Sequence, residues 1–404
     1  MTTKRQLLTL TERVTTTHKI DFKDVEYLLY AHCNHVDIRP TYERGHYQLT
    51  PRGYVGSFVT PNLHIHIEAK IGQANLFHLI DDRAPVRSGE ASQTMAPGTA
   101  LRNFLAECLA QRLHERIETG LQRDYVERAE HSAFLQGRLD MAEQMRSGRK
   151  DRLACRFEEF TVDTPIHQVL KSTLDMVLPW PELTDSVRQS LMQARSAFAD
   201  VSSISLHPQS FANIKLNGLT ADYAPLLELC RLLAVCLNPT NNPGSMPGPC
   251  FLLNLEQVFE RYITRHFTAH VRTLTDKSLT LMSQRDVVPH ESQPGQTDWH
   301  MRPDLTLHRE GMPIWVADVK WKRSPFVRTD LHQILAYCAA LGCRYGVLIY
   351  PGSRTQHWDY AFRTGGVNIR IQQVKVTGKV SAMEKSLRSV MRQTHADHWQ
   401  RQKD

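Results

Sequence analysis

Two aspartates and a lysine toward the C-terminal end of the chain stand at a spacing that lets one small patch of β-structure carry them together. Asp304, Asp318 and Lys320 fall in the stretch MRPDLTLHREGMPIWVADVKWKR, where two strand-like runs flank His308-Arg309-Glu310-Gly311-Met312. Glycine suits a tight turn, so the stretch reads as a β-hairpin. With the turn centred on Gly311, Asp304 falls opposite Asp318, and directly opposed side chains stand roughly 5 Å apart. Lys320 lies two residues beyond Asp318 and shares its face. Two carboxylates this close repel each other, whereas a divalent cation between them turns the cost into binding energy. Mg²⁺ bound by Asp304, Asp318 and a phosphate oxygen would lower the pKa of a bound water. Lys320 would help orient or activate that water and offset charge building on the phosphate. That is the chemistry of phosphodiester hydrolysis. The competing account is a solvated hairpin end with an ordinary Asp318–Lys320 ion pair. Pro303-Asp304 at a matching hairpin distance tips the reading toward the metal site.

The elements that must position these groups are legible on either side. Ile314 and Val316 share the face of the charged residues, while Trp315, Ala317, Val319 and Trp321 form an apolar opposite face, the pattern of a strand covered on both sides. Upstream, LNLEQVFERYITRHFTAHV sets Leu255, Val258, Phe259, Tyr262 and Ile263 along one side of a helix. Downstream, DLHQILAYCAAL is a helix carrying Asp330, Gln333 and Tyr337, the last two an i, i+4 pair on one face. With LTLMSQRDVV before the hairpin and YGVLIYP after the second helix, the order is helix, three strands, helix, strand. That is an α/β arrangement compatible with a mixed sheet.

The rest of the chain divides by pattern. From Val25 to Ile80 short apolar runs are broken by Gly, Pro and Asn, and Leu63, Ile65 and Ile67 alternate with His64, His66 and Glu68, so the opening is β-rich. Between Thr99 and Leu121, Leu101, Phe104, Leu105, Cys108, Leu109 and Leu113 recur at helical spacing. FLQGRLDMAEQMR is a short strand-like piece, Thr164-Pro165 opens a helix, and further helices are expected over about 184–199 and 221–237. NPTNNPGSMPGPC, Asn238 to Cys250, is the strongest loop signal and marks the main boundary. The expected organisation is therefore α/β and multi-domain: a β-rich region over 1–98, a mainly helical one over 99–245, and the domain bearing the acids over 246–404. The basic stretch from about Met383 reads as a surface helix.

Composition narrows the class without fixing it. A formal net charge of +7 favours an anionic partner but supports nucleic-acid binding only weakly. No segment nears the ~20 uninterrupted apolar residues of a membrane span, and the N-terminus has no leader pattern, so a cytoplasmic protein with no membrane partner is expected. Eight scattered cysteines without a CxxC pair argue against a disulfide framework and a zinc ribbon and read as reduced, mostly buried thiols. His64 and His66 share a face but lack a third ligand nearby in sequence.

Pro303-Asp304 followed by Asp318-Val319-Lys320 resembles the signature of the PD-(D/E)xK nuclease superfamily. Many members keep an extra acid on the helix before the sheet, which the resemblance places at Glu260, and a Gln near the active lysine on the next helix, here Gln333. It thus implies catalytic roles for Asp304, Asp318, Lys320, Glu260 and Gln333, with Asp304, Asp318 and Glu260 binding Mg²⁺. An exposed helix carboxylate competes as an account of Glu260, and plain packing as one of Gln333 and Tyr337.

More of the chain, from about Gly53 to Pro351, is similar to one family, McrC, the nuclease subunits of McrBC 5-methylcytosine restriction systems. The carriers are LHIHIEAKIGQANLFHLI, FLQGRLDMAEQMR, FEEFTVDTPIHQVLK, VFERY, RPDLTL, DVKWK, and QILAY followed by LIYP, in that order. The chain departs from the family at Ala69-Lys70, where members tend to have Pro-Lys, and at His167, where they tend to have Asn. The resemblance implies a C-terminal restriction-endonuclease-like mixed sheet flanked by helices, modified double-stranded DNA as substrate, and a McrB-like AAA+ GTPase ring as partner. GTP would be bound by that partner, since this chain has no GxxxxGK[ST] loop. The N-terminal part would dock on the ring and stimulate its GTP hydrolysis; Gly137, Arg138 and Lys70 are candidates there, with turn and surface roles competing. Two other readings stay open: a non-catalytic adaptor that activates the ring, and a standalone DNA repair nuclease.

Overall fold

The computed structural model describes residues 5–82, 97–237, 250–288, 300–322, 324–363 and 366–400. The chain packs as two compact units, Met1–Glu90 together with Gly244–Asp404, and Ala91–Pro243.

The first unit begins with β1 (Gln6–Thr11), β2 (Thr16–Lys19), α1 (Phe22–Ala31), β3 (Val36–Pro40), β4 (His46–Pro51), β5 (Tyr54–Val59), β6 (Leu63–Glu68) and α2 (Gln73–Ile80). This is the β-rich opening. β2, β4 and β3 form an antiparallel sheet; β1 runs parallel to β6, which pairs antiparallel with β5. Leu63, Ile65 and Ile67 point into a core with Leu10, Leu49 and Phe58 as the alternation requires, and His66, on the opposite face of β6, is buried as well. α1 starts where the Asp21 side chain accepts from the Lys23 N–H, satisfying a donor that the first helical turn leaves open.

The second unit contains α3 (Pro97–Glu118), β7 (Asp124–Ser132), β8 (Arg138–Leu139), α4 (Met141–Ser147), β9 (Leu153–Thr161), α5 (Pro165–Val177), α6 (Asp185–Ser196), α7 (Pro208–Ala212) and α8 (Ala224–Leu237). α3 buries the predicted stripe of Leu101, Phe104, Leu105, Cys108, Leu109 and Leu113. Thr164 caps α5 through its hydroxyl, with Pro165 in the first turn. The nine-residue strands β7 and β9 were not expected: β7, DYVERAEHS, is solvent-facing along most of its length, so it carries no apolar period to read. Gly137 adopts a left-handed φ of 63° beside Phe157, consistent with a turn role, and Arg138 pairs in register with Arg156 on β9.

The chain then returns to the first unit. β10 (Phe251–Asn254) completes the opening sheet against β5, where a Cβ on Gly56 would overlap the Phe251 carbonyl. α9 (Leu255–Thr273), β11 (Leu279–Ser283), β12 (Leu305–Arg309), β13 (Met312–Val319), α10 (Arg328–Leu341), β14 (Tyr345–Gly352), β15 (Gln356–Ala361), β16 (Asn368–Lys375) and α11 (Val380–Gln400) follow. The sheet order is β11-β12-β13-β14-β16-β15, with β13, β14 and β16 parallel and the rest antiparallel, so the sheet is mixed. β15 and β16 extend it beyond the four strands expected. α11 is a surface helix with one buried stripe: Met383, Leu387, Val390 and Met391 line up at helical spacing and are buried, while Lys385, Arg388 and Arg392 are exposed. The loop expected over Asn238 to Cys250 lies, except for Cys250, outside the described residues.

Candidate functional site

The acids are brought together by a hairpin whose geometry differs from the sequence expectation. Arg309 pairs with Met312, and Glu310 and Gly311 both have left-handed backbone, φ 51° and 83°, as a two-residue hairpin turn of the primed type requires. Continued regularly, that turn would bring Asp304 opposite Ala317. Instead the register shifts between Leu307 and His308: His308 pairs with Pro313 but Leu307 with Trp315, leaving Ile314 as an extra residue in β13. Beyond this bulge Leu305 pairs with Ala317, and one further step aligns Asp304 with Asp318.

Both faces of β13 are covered. Val316 packs with Ile334 and Tyr337 of α10, while Trp315 meets Phe267, and Trp321 meets Phe259, edge-on from α9. Asp318 is consequently 1% exposed. Lys320 Nζ lies 2.8 Å from Asp318 Oδ2, so the ion pair of the competing account is present, but not at a solvated hairpin end. Asp304 Oδ2 accepts from the Val319 backbone N–H at 2.7 Å. The Gln284 amide donates to Asp304 Oδ1 at 3.0 Å and to Glu260 Oε1 at 2.6 Å, which joins α9 to the hairpin. Gln284 itself follows β11 with a left-handed φ of 51°.

The electrostatics of this cluster are those of crowded acids. Burial and then the neighbouring Glu260 push Asp304 up to about 6, and burial and then Asp304 push Asp318 up to about 6. Glu260 is raised chiefly by burial, against the Gln284 hydrogen bond. Lys320 is raised although burial lowers it, because the Asp318 and Asp304 carboxylates hold its proton. Three carboxylates thus face one ammonium.

The structure therefore places four of the five predicted residues, Asp304, Asp318, Lys320 and Glu260, in one electrostatically linked group. Gln333 sits beside it: its amide donates to the Tyr337 hydroxyl at 2.8 Å, which in turn donates to the Arg302 carbonyl at 3.3 Å. Gln284 was not anticipated, and its sequence context gives no signal, since its role follows from a backbone conformation. Asp330 is 2% exposed and accepts from Lys322 Nζ at 2.6 Å and the Tyr350 hydroxyl at 2.8 Å. Among the described residues no three His, Cys, Asp or Glu side chains are gathered tightly enough to hold an ion as they stand. Asp304 and Asp318 nevertheless fit a hard divalent cation by donor type: both are oxygen ligands, buried, adjacent, and raised by burial and a neighbouring carboxylate. Among the described residues no helix is long and apolar enough to cross a membrane.

Comparison with known proteins identifies relatives of this chain. The type IV methyl-directed restriction enzyme EcoKMcrBC of Escherichia coli (strain K12) is 23% identical over 279 residues, 65% of this chain and 80% of the relative. Two solved structures from Thermococcus gammatolerans align at 17% identity. One is a half-complex from a tetradecameric assembly of McrB AAA+ hexamers with bound McrC, with a TM-score of 0.48 over 95% of this chain and 99% of the matched one. The other is the McrBC complex, with a TM-score of 0.39 over 67% and 90%. Residues 49–351, about three quarters of the chain and including every residue of the acidic cluster, match the family described as McrBC 5-methylcytosine restriction system component, and the chain belongs to that family.

Proposed function

We propose that this chain is the nuclease subunit of a McrBC-like, type IV restriction complex. It cleaves modified double-stranded DNA when assembled with a McrB-like AAA+ GTPase, whose GTP hydrolysis it stimulates. The observation that carries this reading is the pairing of Asp304 with Asp318 beside Lys320 on a buried hairpin, with both acids pushed to about 6, first by burial and then by a neighbouring carboxylate, Glu260 for Asp304 and Asp304 for Asp318. A fold keeps such a group at a cost, and a cation with an anionic substrate offsets it.

Asp304 and Asp318, joined by Glu260, would hold the metal. Bound Mg²⁺ supplies Lewis-acid polarisation of the phosphate and a bound water of lowered pKa. The chain's own groups do the rest. The Val319 N–H and Gln284 keep the Asp304 carboxylate turned toward β13. Asp318 fixes the Lys320 ammonium, raises its pKa so that it stays protonated, and leaves its remaining N–H groups to bind a phosphate oxygen where charge develops. Burial by α9 and α10 keeps bulk water from screening these charges. The chain's lack of a phosphate-binding GxxxxGK[ST] loop assigns GTP to the partner.

The test is cleavage of methylated and unmethylated plasmid by the purified chain with Mg²⁺, with and without its genomic-neighbour GTPase and GTP, and with Asp318→Ala as control. Cutting that needs partner and GTP and disappears in the variant is expected. Cutting by the chain alone would point to a standalone nuclease. No cutting beside intact GTPase stimulation would point to an adaptor.

A further inference from the structure

One residue beyond Lys320, two groups outside the proposed chemistry meet. Glu12, immediately after β1, is 0% exposed, a position a carboxylate holds only with partners. Trp321 Nε1 donates to its Oε2 at 2.9 Å and its Oε1 at 3.2 Å, across 309 positions of sequence. The backbone N–H of Lys70 also donates to it, and the Glu12 N–H itself bonds the Glu68 carbonyl, continuing the β1–β6 pairing. Trp321 is fully buried; Phe259 lies edge-on 5.3 Å from its ring and the Lys70 ammonium 5.6 Å from its centroid. Phe259 precedes Glu260 and Trp321 follows Lys320. The indole is thus enclosed by the chain neighbours of two site residues and by the opening sheet.

The bond from the Lys320 N–H to the Ile349 carbonyl, 2.9 Å, is where β13 leaves the sheet. Past that point the backbone is no longer held by ladder pairing, so what fixes the lysine on its far side is its next neighbour. An indole N–H to a carboxylate is a charge-assisted bond with defined direction, unlike apolar packing, which tolerates sliding.

We propose that Glu12 is a positioning residue for the nuclease centre: by fixing the Trp321 indole from the opening sheet, it holds the end of β13 and keeps Lys320 against Asp318. This rests on the nuclease reading above. The test uses the full chain with its partner GTPase, GTP and Mg²⁺ on plasmid DNA, comparing wild type with Glu12→Ala, Glu12→Gln and Trp321→Phe. Glu12→Ala and Trp321→Phe should cut about tenfold more slowly or worse at saturating DNA, because small displacements of a reacting group cost this much. Their KM for DNA and their stimulation of GTP hydrolysis should stay unchanged. Glu12→Gln should restore cutting to within about threefold of wild type, since its amide oxygen still accepts from the indole. Independently of cutting, ¹⁵N spectra of the indole N–H groups should show the Trp321 signal, one of six tryptophans, kept in Glu12→Gln and moved in Glu12→Ala, with Trp321→Phe identifying it.

The proposal falls if Glu12→Ala cuts within about threefold of wild type, if Ala and Gln variants are equally slow, or if GTPase stimulation drops in step with cutting, the mark of a merely structural role. Should Glu12→Ala fail to fold, Trp321→Phe, which keeps the packing on Phe259, decides by the same criteria. A wild-type chain that never cuts refutes the nuclease reading itself and takes this proposal with it.

Discussion

Asp163 in the second unit and Asp318 in the first are both buried aspartates beside a strand, and they sit at opposite electrostatic extremes. Asp163 accepts from Arg128 at 2.9 Å, from Gln168 at 2.9 Å, and from both the backbone N–H and hydroxyl of Ser202 at 2.9 Å. Burial alone would raise it, but those hydrogen bonds hold it at about 2. Asp318 has the Lys320 ammonium and otherwise faces acids, and it rises to about 6. A buried carboxylate with every lone pair engaged is part of the scaffold. One left beside other carboxylates is where the proposed cation would supply the missing partner.

That contrast can be broken from either side. The largest effect is expected at the crowded acid: Asp318→Ala or Lys320→Ala should lower the cleavage rate by about a thousandfold, as removal of a transition-state contact does, in a chain that still folds and still stimulates GTP hydrolysis. If either variant still cuts, the assignment of the site fails. Asp163→Ala should do the reverse. Losing the acceptor that Arg128 and Ser202 share should destabilise the fold by about 3 kcal/mol in urea unfolding, while the cleavage rate per folded molecule stays the same.

A smaller effect sharpens the comparison through pH. Asp163 is depressed in the fold, so its contribution to stability is present above its ordinary value near 3.8 and fades as pH falls through about 2. Asp304 and Asp318 are raised, so the folded form binds protons more tightly than the unfolded chain; that stabilisation is present below about 3.8 and is lost as pH rises through about 6. Asp304→Asn should accordingly raise the Tm at pH 8 in chelator-containing buffer and leave it nearly unchanged at pH 4. An equal shift at both pH values would mean that the crowding does not exist.

How much of this was legible depended on whether a feature leaves a periodic trace. The apolar stripe of α9 and the two-faced pattern of β13 follow from helical spacing and alternation, and the sequence shows them directly; the Asp304–Asp318 alignment also needs the bulge at Ile314, which leaves no periodic trace. β7 and β15 do not, because edge-like strands exposed along much of their length have no buried face to encode. Gln284 depends on a left-handed backbone that glutamine does not advertise. Glu12 and Trp321 are 309 positions apart, and nothing local to either reports the other. The grouping of the opening residues with the C-terminal segment is of the same kind, since continuity along the chain says little about which sheets share a unit.

The bulge at Ile314 gives the hairpin an arithmetic. Thirteen residues separate Asp304 from Asp318. A two-residue turn removes an even number and leaves an odd remainder, which two equal arms cannot divide. Ile314 absorbs that remainder. Its deletion is therefore the single-residue loss that keeps both the Glu310-Gly311 turn and the opposed acids, now on arms of equal length. A deletion placed in the turn instead forces a choice between the turn and the site. Whether the hairpin needs a bulge to oppose the acids thus depends on whether that count is odd or even, which residue identity alone does not express.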